Sequence, residues 1–143
     1  MWTPIRSMSR GKKMLKLLSR LFKRNNLPSK LFTVVRSDMS PGYQLAQTLH
    51  AGIEFMYKKA KLKVVKEWKE NSNTVICLSV FTEKSLVEAY IEATRLGYDP
   101  VCFTEPDIGD EFTSFAFIGE SDAGYKLERS VTAKLPLALS SYR

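Results

Sequence analysis

One stretch, Leu31 to Ala60 (LFTVVRSDMSPGYQLAQTLHAGIEFMYKKA), limits what this chain can fold into more than any other. Leu31, Phe32, Val34 and Val35 make a β-branched and aromatic run too short for a helix, so it reads as a buried strand. Ser40-Pro41 has the form of an N-cap followed by proline at the first helical position, where the missing N–H costs nothing. From there Leu45, Leu49, Ile53, Met56 and Ala60 recur at spacings of three and four. At about 100° per residue they form one apolar stripe, expected to face the core. Tyr43, Gln47, His50 and Glu54 share that spacing on another side, as a polar row starting at the helix N-terminus. The free N–H groups and the dipole of such a helix start favour an anion.

The rest of the chain continues the alternation. Lys61 to Glu70 reads as an extension of the helix or a second helical piece, with Val64, Val65 and Trp68 inward, and Asn71-Ser72-Asn73 as a turn. Thr74 to Val80 (TVICLSV) is apolar enough for a central strand. Thr82 caps the next helix, Glu83 suits its first turn, and Gly97 stops it. Its inward face is expected to be Leu86, Val87, Tyr90, Ile91 and Leu96. Val101-Cys102-Phe103 is a third strand, EPDIGDE (105–111) an acidic loop, and Phe112 to Ile118 a fourth strand, antiparallel to the third if the two pair. Residues 121–130 suit a turn and short helix, and KLPLAL (134–139) ends the chain's apolar segments. The order β-α-β-α-β-β predicts an α/β three-layer sandwich, a four-stranded mixed sheet flanked by helices.

Charge divides the chain in two. Of 22 Lys and Arg, nine lie in residues 1–30, which hold no acid; the other 13 stand against 15 acids, a net of −2. We therefore expect a basic extension, 1–30, and a nearly neutral α/β domain, 31–143. Met14 to Arg24 (MLKLLSRLFKR) sets Leu15, Leu18, Leu21 and Phe22 among cations, with Asn25-Asn26-Leu27-Pro28 as a linker. A segment of this kind suits a mobile tail, an anionic membrane surface, a protein partner, RNA phosphates or an organelle presequence. No run is long enough to span a bilayer. Cys77 and Cys102 lack CxxC spacing and read as reduced core residues; two Cys and one His make no zinc set, and no metal or cofactor is expected.

In such a sheet, ligands gather beyond the carboxyl ends of parallel strands. Two loops are expected to meet there: Ser37–Tyr43, leading to Tyr43, Gln47 and His50, and 105–111, carrying Glu105, Asp107, Asp110 and Glu111. That is an acid/base-capable cluster with hydrogen-bond donors but without a Walker loop, GxGxxG or Ser-His-Asp order. Each member also has a plainer reading, as a solvated helix face or a soluble loop. Lys58, Lys59, Lys61, Lys63, Lys66 and Lys69 read equally as a phosphate-contacting patch or an exposed face.

The stretch VVRSDMSPGYQLAQTLHA resembles the start of the archaeal/eukaryotic-type peptidyl-tRNA hydrolase family. That family has a VVR-[ST]-D strand end, a Gly-Lys pair opening the helix and an Ala-Gln-x-x-His-Ala signature. Val34-Val35-Arg36-Ser37-Asp38 and Ala46-Gln47-Thr48-Leu49-His50-Ala51 keep this frame, and the likeness runs over residues 31–139. It implies hydrolysis of the ester between a peptide and the tRNA terminal ribose, without cofactor, in translation and ribosome rescue in the cytoplasm. Gln47, His50, Glu105, Asp107, Tyr43 and Thr113 would then be catalytic, with Ser114 near Thr113. Ser40, Gly42, Lys58, Lys59 and Arg36 would bind substrate. The family lysine falls on Tyr43, and the family's Asp-Ala-Gly loop is rewritten as Glu105-Pro106-Asp107. A relative without catalysis, binding tRNA, protein or membrane through the extension, is the other reading; dimerisation stays open.

Overall fold

The computed structural model describes residues 11–18 and 27–140. Residues 11–18 are helical and exposed; the rest of the helix expected over 14–24, and Asn25-Asn26 of the linker, lie outside the described residues. The α/β domain runs β1 (Ser29–Arg36), α1 (Pro41–Lys59), α2 (Lys63–Glu70), β2 (Val75–Val80), α3 (Glu83–Arg95), β3 (Val101–Glu105), a 3-10 turn (Pro106–Ile108), β4 (Glu111–Glu120) and α4 (Ala123–Ser130).

The four strands form one mixed sheet in the order β2-β1-β4-β3. β1 is parallel to β2 and antiparallel to β4, and β3 is antiparallel to β4, as expected for a short β3–β4 connection. β1 and β3 therefore end on the same side of the sheet. Both faces are covered, which is why the strands read as continuous apolar runs. On one face Leu31, Val101 and Ala116 pack with Ala51 and Phe55 of α1 and Val65 and Trp68 of α2. On the other, Phe32, Val34, Leu78, Phe115 and Phe117 pack with Leu86, Ala89 and Ala93 of α3 and Ala123 and Leu127 of α4. This is the expected three-layer sandwich. Among the described residues no helix is long and apolar enough to cross a membrane.

Local signals hold at most element ends. Ser40 caps α1 by accepting from the Tyr43 N–H, and Thr82 caps α3 by accepting from the Ser85 N–H at 3.1 Å. Gly97, at φ 90°, turns the chain out of α3 in the left-handed conformation that glycine adopts without strain. A Cβ on Gly119 would stand 2.6 Å from the Ala123 Cβ, so the absence of a side chain there lets α4 close on β4.

The helix faces differ from expectation. Leu45, Leu49 and Ile53 are exposed, at 55–65%, and the buried face of α1 is Gln44, Gln47, Ala51 and Phe55. Ala60 is exposed and Met56 half-buried. The helix is rotated by about 150° from the orientation its leucines suggest, so the expected stripe faces nearly away from the sheet. The cause is polar: the end of the sheet under the first turns of α1 is built from Thr113, Ser114 and Glu105, all buried. Leucines placed there would leave those groups without partners, at about 1–3 kcal/mol each. In α3, Val87, Ile91 and Leu96 are likewise exposed, because the small Ala89 and Ala93 bring the backbone against the sheet; Val64 of α2 is exposed as well. Cys102 is exposed on the outer strand β3 and Cys77 half-buried on β2, at the opposite edge; both are free thiols, and Cys102 is not a core residue.

Candidate active site

The site forms where β1 and β3 end beneath the start of α1. Gln47 lies at its centre, 1% exposed. Its Nε2 donates to Glu105 Oε2 at 2.6 Å, and its Oε1 accepts from Thr113 Oγ1 at 2.5 Å. Ser114 Oγ donates to the Gln47 backbone carbonyl at 2.8 Å. Two neighbours on one strand reach the same helix because β4 is bulged. Phe103 pairs with Ser114 and Thr104 with Phe112, leaving Thr113 as the extra residue between them. A bulge of this kind re-aims a side chain that regular alternation would send to the opposite face.

Glu105 is the terminal residue of β3, where its second oxygen accepts from the Asp107 N–H at 3.3 Å. The Gln47 amide, that N–H and the positive influence of His50 hold its carboxyl below the usual carboxylate range, against the opposing effect of burial. It is a buried, ionised acid at neutral pH. His50 lies one turn further along α1, exposed, with its ring stacked on Phe103 of β3 at 4.6 Å between centroids and 8° between planes.

Tyr43 lies in the first turn of α1, half-buried. Desolvation, then the charges of Glu105, Asp107 and Glu111, raise its pKa, so its hydroxyl remains a donor. In the same turn Pro41 has no N–H, Tyr43's N–H goes to Ser40 Oγ at 3.4 Å and Gln44's to Ser40 O at 2.9 Å. The Gly42 N–H belongs to the first turn, whose amides have no partner within the helix, and nothing lies within 4 Å of where a Gly42 Cβ would be. Gln44, buried beside this turn, secures the approach to it: its Nε2 donates to Met39 O at 2.7 Å and Ser37 O at 3.4 Å.

The structure thus brings together Tyr43, Gln47, His50, Glu105, Asp107 and Thr113, with Ser40 and Gly42 at the helix start. Gln47 differs from expectation in one respect: it is too deeply buried to line a binding surface and instead fixes Glu105. Arg36 is not available as a substrate contact. It donates to Asp38 at 3.0 Å, Glu111 at 2.9 Å and Glu83 at 3.3 Å, tying the end of β1 to α3 and β4. Lys58 and Lys59 lie at the far end of α1, paired with Glu54 at 3.7 Å and with Asp99. At 1.5 Å per residue they are about 26 Å from the helix start and about 12 Å beyond His50, and both are taken up by carboxylates, so they stand outside the cluster. Gln44 and Phe103 were not foreseen. The spacing Gln44, Gln47, Ala51, Phe55 could have pointed to the first; nothing in the sequence pointed to the second. Among the described residues no group of three or more His, Cys, Asp or Glu is arranged to hold a metal ion.

A mixed four-stranded sheet between two helical layers, with its polar cluster at the ends of β1 and β3, defines a small three-layer α/β domain. The family model described as "Peptidyl-tRNA hydrolase PTH2" matches residues 29–108, more than half of the sequence, and the chain belongs to that family. The match takes in Tyr43, Gln47, His50, Glu105 and Asp107 and ends before Thr113. A solved structure, a protein of unknown function from Agrobacterium tumefaciens str. C58, superposes with a TM-score of 0.52 at 9% identity. The overlap covers 75% of this chain and 96% of that one, and it speaks for the fold alone. No curated protein sequence matches the chain significantly.

Proposed function

We propose that the protein hydrolyses the ester joining a peptide, or an N-blocked amino acid, to the terminal ribose of tRNA. The observation that carries this reading is the buried, ionised Glu105 held by Gln47 close to His50, at the start of α1, in a chain of this family. Ester hydrolysis needs a base for the attacking water, donors for the carbonyl oxyanion and a proton for the departing ribose oxygen. His50 takes the proton from the attacking water, and Glu105 is placed nearby as a counter-charge. The Gly42 N–H and the Tyr43 hydroxyl donate to the oxyanion. On collapse of the tetrahedral intermediate the C–O bond to ribose breaks, and His50 returns its proton to that oxygen. Gln47 and Thr113 are positioning residues in this scheme, and Asp107 contributes its backbone N–H to Glu105. The tRNA backbone runs beyond the reaction centre, toward lysines of α1 and α2 and the basic extension, where phosphate contacts supply affinity.

A second reading rests on one observation, Tyr43 in the place of the family lysine: a relative that binds tRNA without cleaving it. His50→Ala and Glu105→Gln separate the two. The hydrolase reading expects each to lower single-turnover release from N-blocked aminoacyl-tRNA by about 100-fold or more, with the circular dichroism spectrum unchanged. Wild-type turnover in both variants would defeat the assignment of these residues.

A further inference from the structure

The imidazole of a general base is ordinarily oriented by a carboxylate that accepts from one of its ring nitrogens. The carboxylate nearest to that task here is already engaged. Glu105 Oε2 accepts from Gln47 Nε2 at 2.6 Å, and Oε1 accepts from the Asp107 N–H at 3.3 Å. Among the described residues the His50 ring takes part in no hydrogen bond. It lies instead against the ring of Phe103, 4.6 Å between centroids and 8° between planes. Strand alternation and helix periodicity make this pair. Val101, Phe103 and Glu105 share the α1 face of β3, and Gln47 and His50 stand three residues apart on one side of α1. Gln47 meets Glu105 and His50 meets Phe103. Phe103 is half-buried and backed by the cluster of Val101, Ala51 and Phe55, whereas His50 is exposed. The phenyl ring is therefore the fixed member of the stack.

We infer that Phe103 is the positioning residue for His50: a phenyl face, rather than a carboxylate, holds the imidazole in the plane from which it takes up and returns a proton. This inference rests on the hydrolase reading for its effect on turnover; the stack itself does not. A parallel stack suits a base. Both ring nitrogens lie in the imidazole plane, so a partner over the face leaves Nδ1 and Nε2 open to water and substrate. An edge-to-face contact, the other favoured geometry of ring pairs, would turn one edge of the imidazole into the phenyl ring. The stack also survives the change of charge, because a cation within about 6 Å of an aromatic centroid is attracted to its face. The imidazolium stays where the neutral ring stood, and the proton can pass to the ribose oxygen from the same place. Without that support an exposed side chain that lacks a hydrogen-bond partner exchanges rotamers on the picosecond-to-nanosecond scale, and proton transfer loses its fixed geometry.

The chain contains a single histidine, so proton NMR of the full chain reads His50 alone, through one Hε1 and one Hδ2 signal. In the wild type both should stand upfield of a free imidazole, displaced by the ring current of Phe103. Phe103→Leu, which keeps apolar bulk on β3, should return them to the free position, and Phe103→Tyr should keep them upfield. Single-turnover release from N-blocked aminoacyl-tRNA is measured on the same three proteins. Phe103→Leu should lower the rate at saturating enzyme about tenfold with the half-saturating concentration unchanged, and Phe103→Tyr should restore it. Undisplaced His50 signals in the wild type overturn the proposal even if Phe103→Leu fails to fold, and so do displaced signals that Phe103→Leu leaves in place. Release by the wild type that Phe103→Leu does not slow overturns the positioning role alone. No release by the wild type, with the NMR response as predicted, overturns the hydrolase reading and the positioning role with it, leaving only the stack.

Discussion

Glu105 is 7% exposed yet ionised, and the arrangement depends on Gln47, whose amide serves a carboxylate with one end and a threonine with the other. Because its pKa is lowered in the folded state, Glu105 adds stability that is fully present above the ordinary carboxylate pKa, about 4.3. That contribution disappears as pH falls through its lowered native value. Urea denaturation of wild type and Glu105→Gln as a function of pH should therefore show a gap near neutrality that closes in acid. A gap constant with pH would mean that the Glu105 charge does not stabilise the fold. Thr113 tests the other end of the same amide. Thr113→Val leaves Gln47 Oε1 buried without its donor and should cost about 1–3 kcal/mol in urea. The deletion should also lower turnover, since Glu105 loses its positioning partner's fixed orientation.

Among the elements, the strands and the order of helices were legible in the sequence, because the apolar runs, the Ser40-Pro41 and Thr82 caps and Gly97 act locally. The rotation of α1 was not. Its leucines define the larger apolar stripe, but the face it buries is selected by Glu105, Thr113 and Ser114, which lie more than fifty residues away in sequence. For the same reason the candidate site was legible only in part. Tyr43, His50 and Glu105 were marked by motif and loop chemistry, whereas the bulge at Thr113 and the stacking of His50 on Phe103 follow from strand pairing alone. Packing of elements gives a further test at Gly119. Gly119→Ala would place a methyl 2.6 Å from the Ala123 Cβ and 2.9 Å from Tyr98 Cε1. Ala123 is fully buried and Tyr98 packs half-buried against the core, so the expected loss is about 1–3 kcal/mol by chemical denaturation.

For the whole molecule, the separation of charge matters most. Of the formal charge of +7, the first thirty residues contribute +9 and the α/β domain carrying the site −2. On the proposed reading, a nucleic-acid substrate would be drawn by the extension and by the lysine-rich end of α1 and α2 and processed toward the first half of α1. The protein thus combines a family fold, a buried carboxylate held by Gln47 near His50, and a tyrosine at the lysine position. The measurement that tests the central claim most directly is single-turnover release of the blocked amino acid from N-blocked aminoacyl-tRNA by the purified full-length chain. Release above the spontaneous rate is predicted. No release while the same tRNA is retarded in a gel shift would contradict it, and would make this chain a tRNA-binding protein on a hydrolase fold.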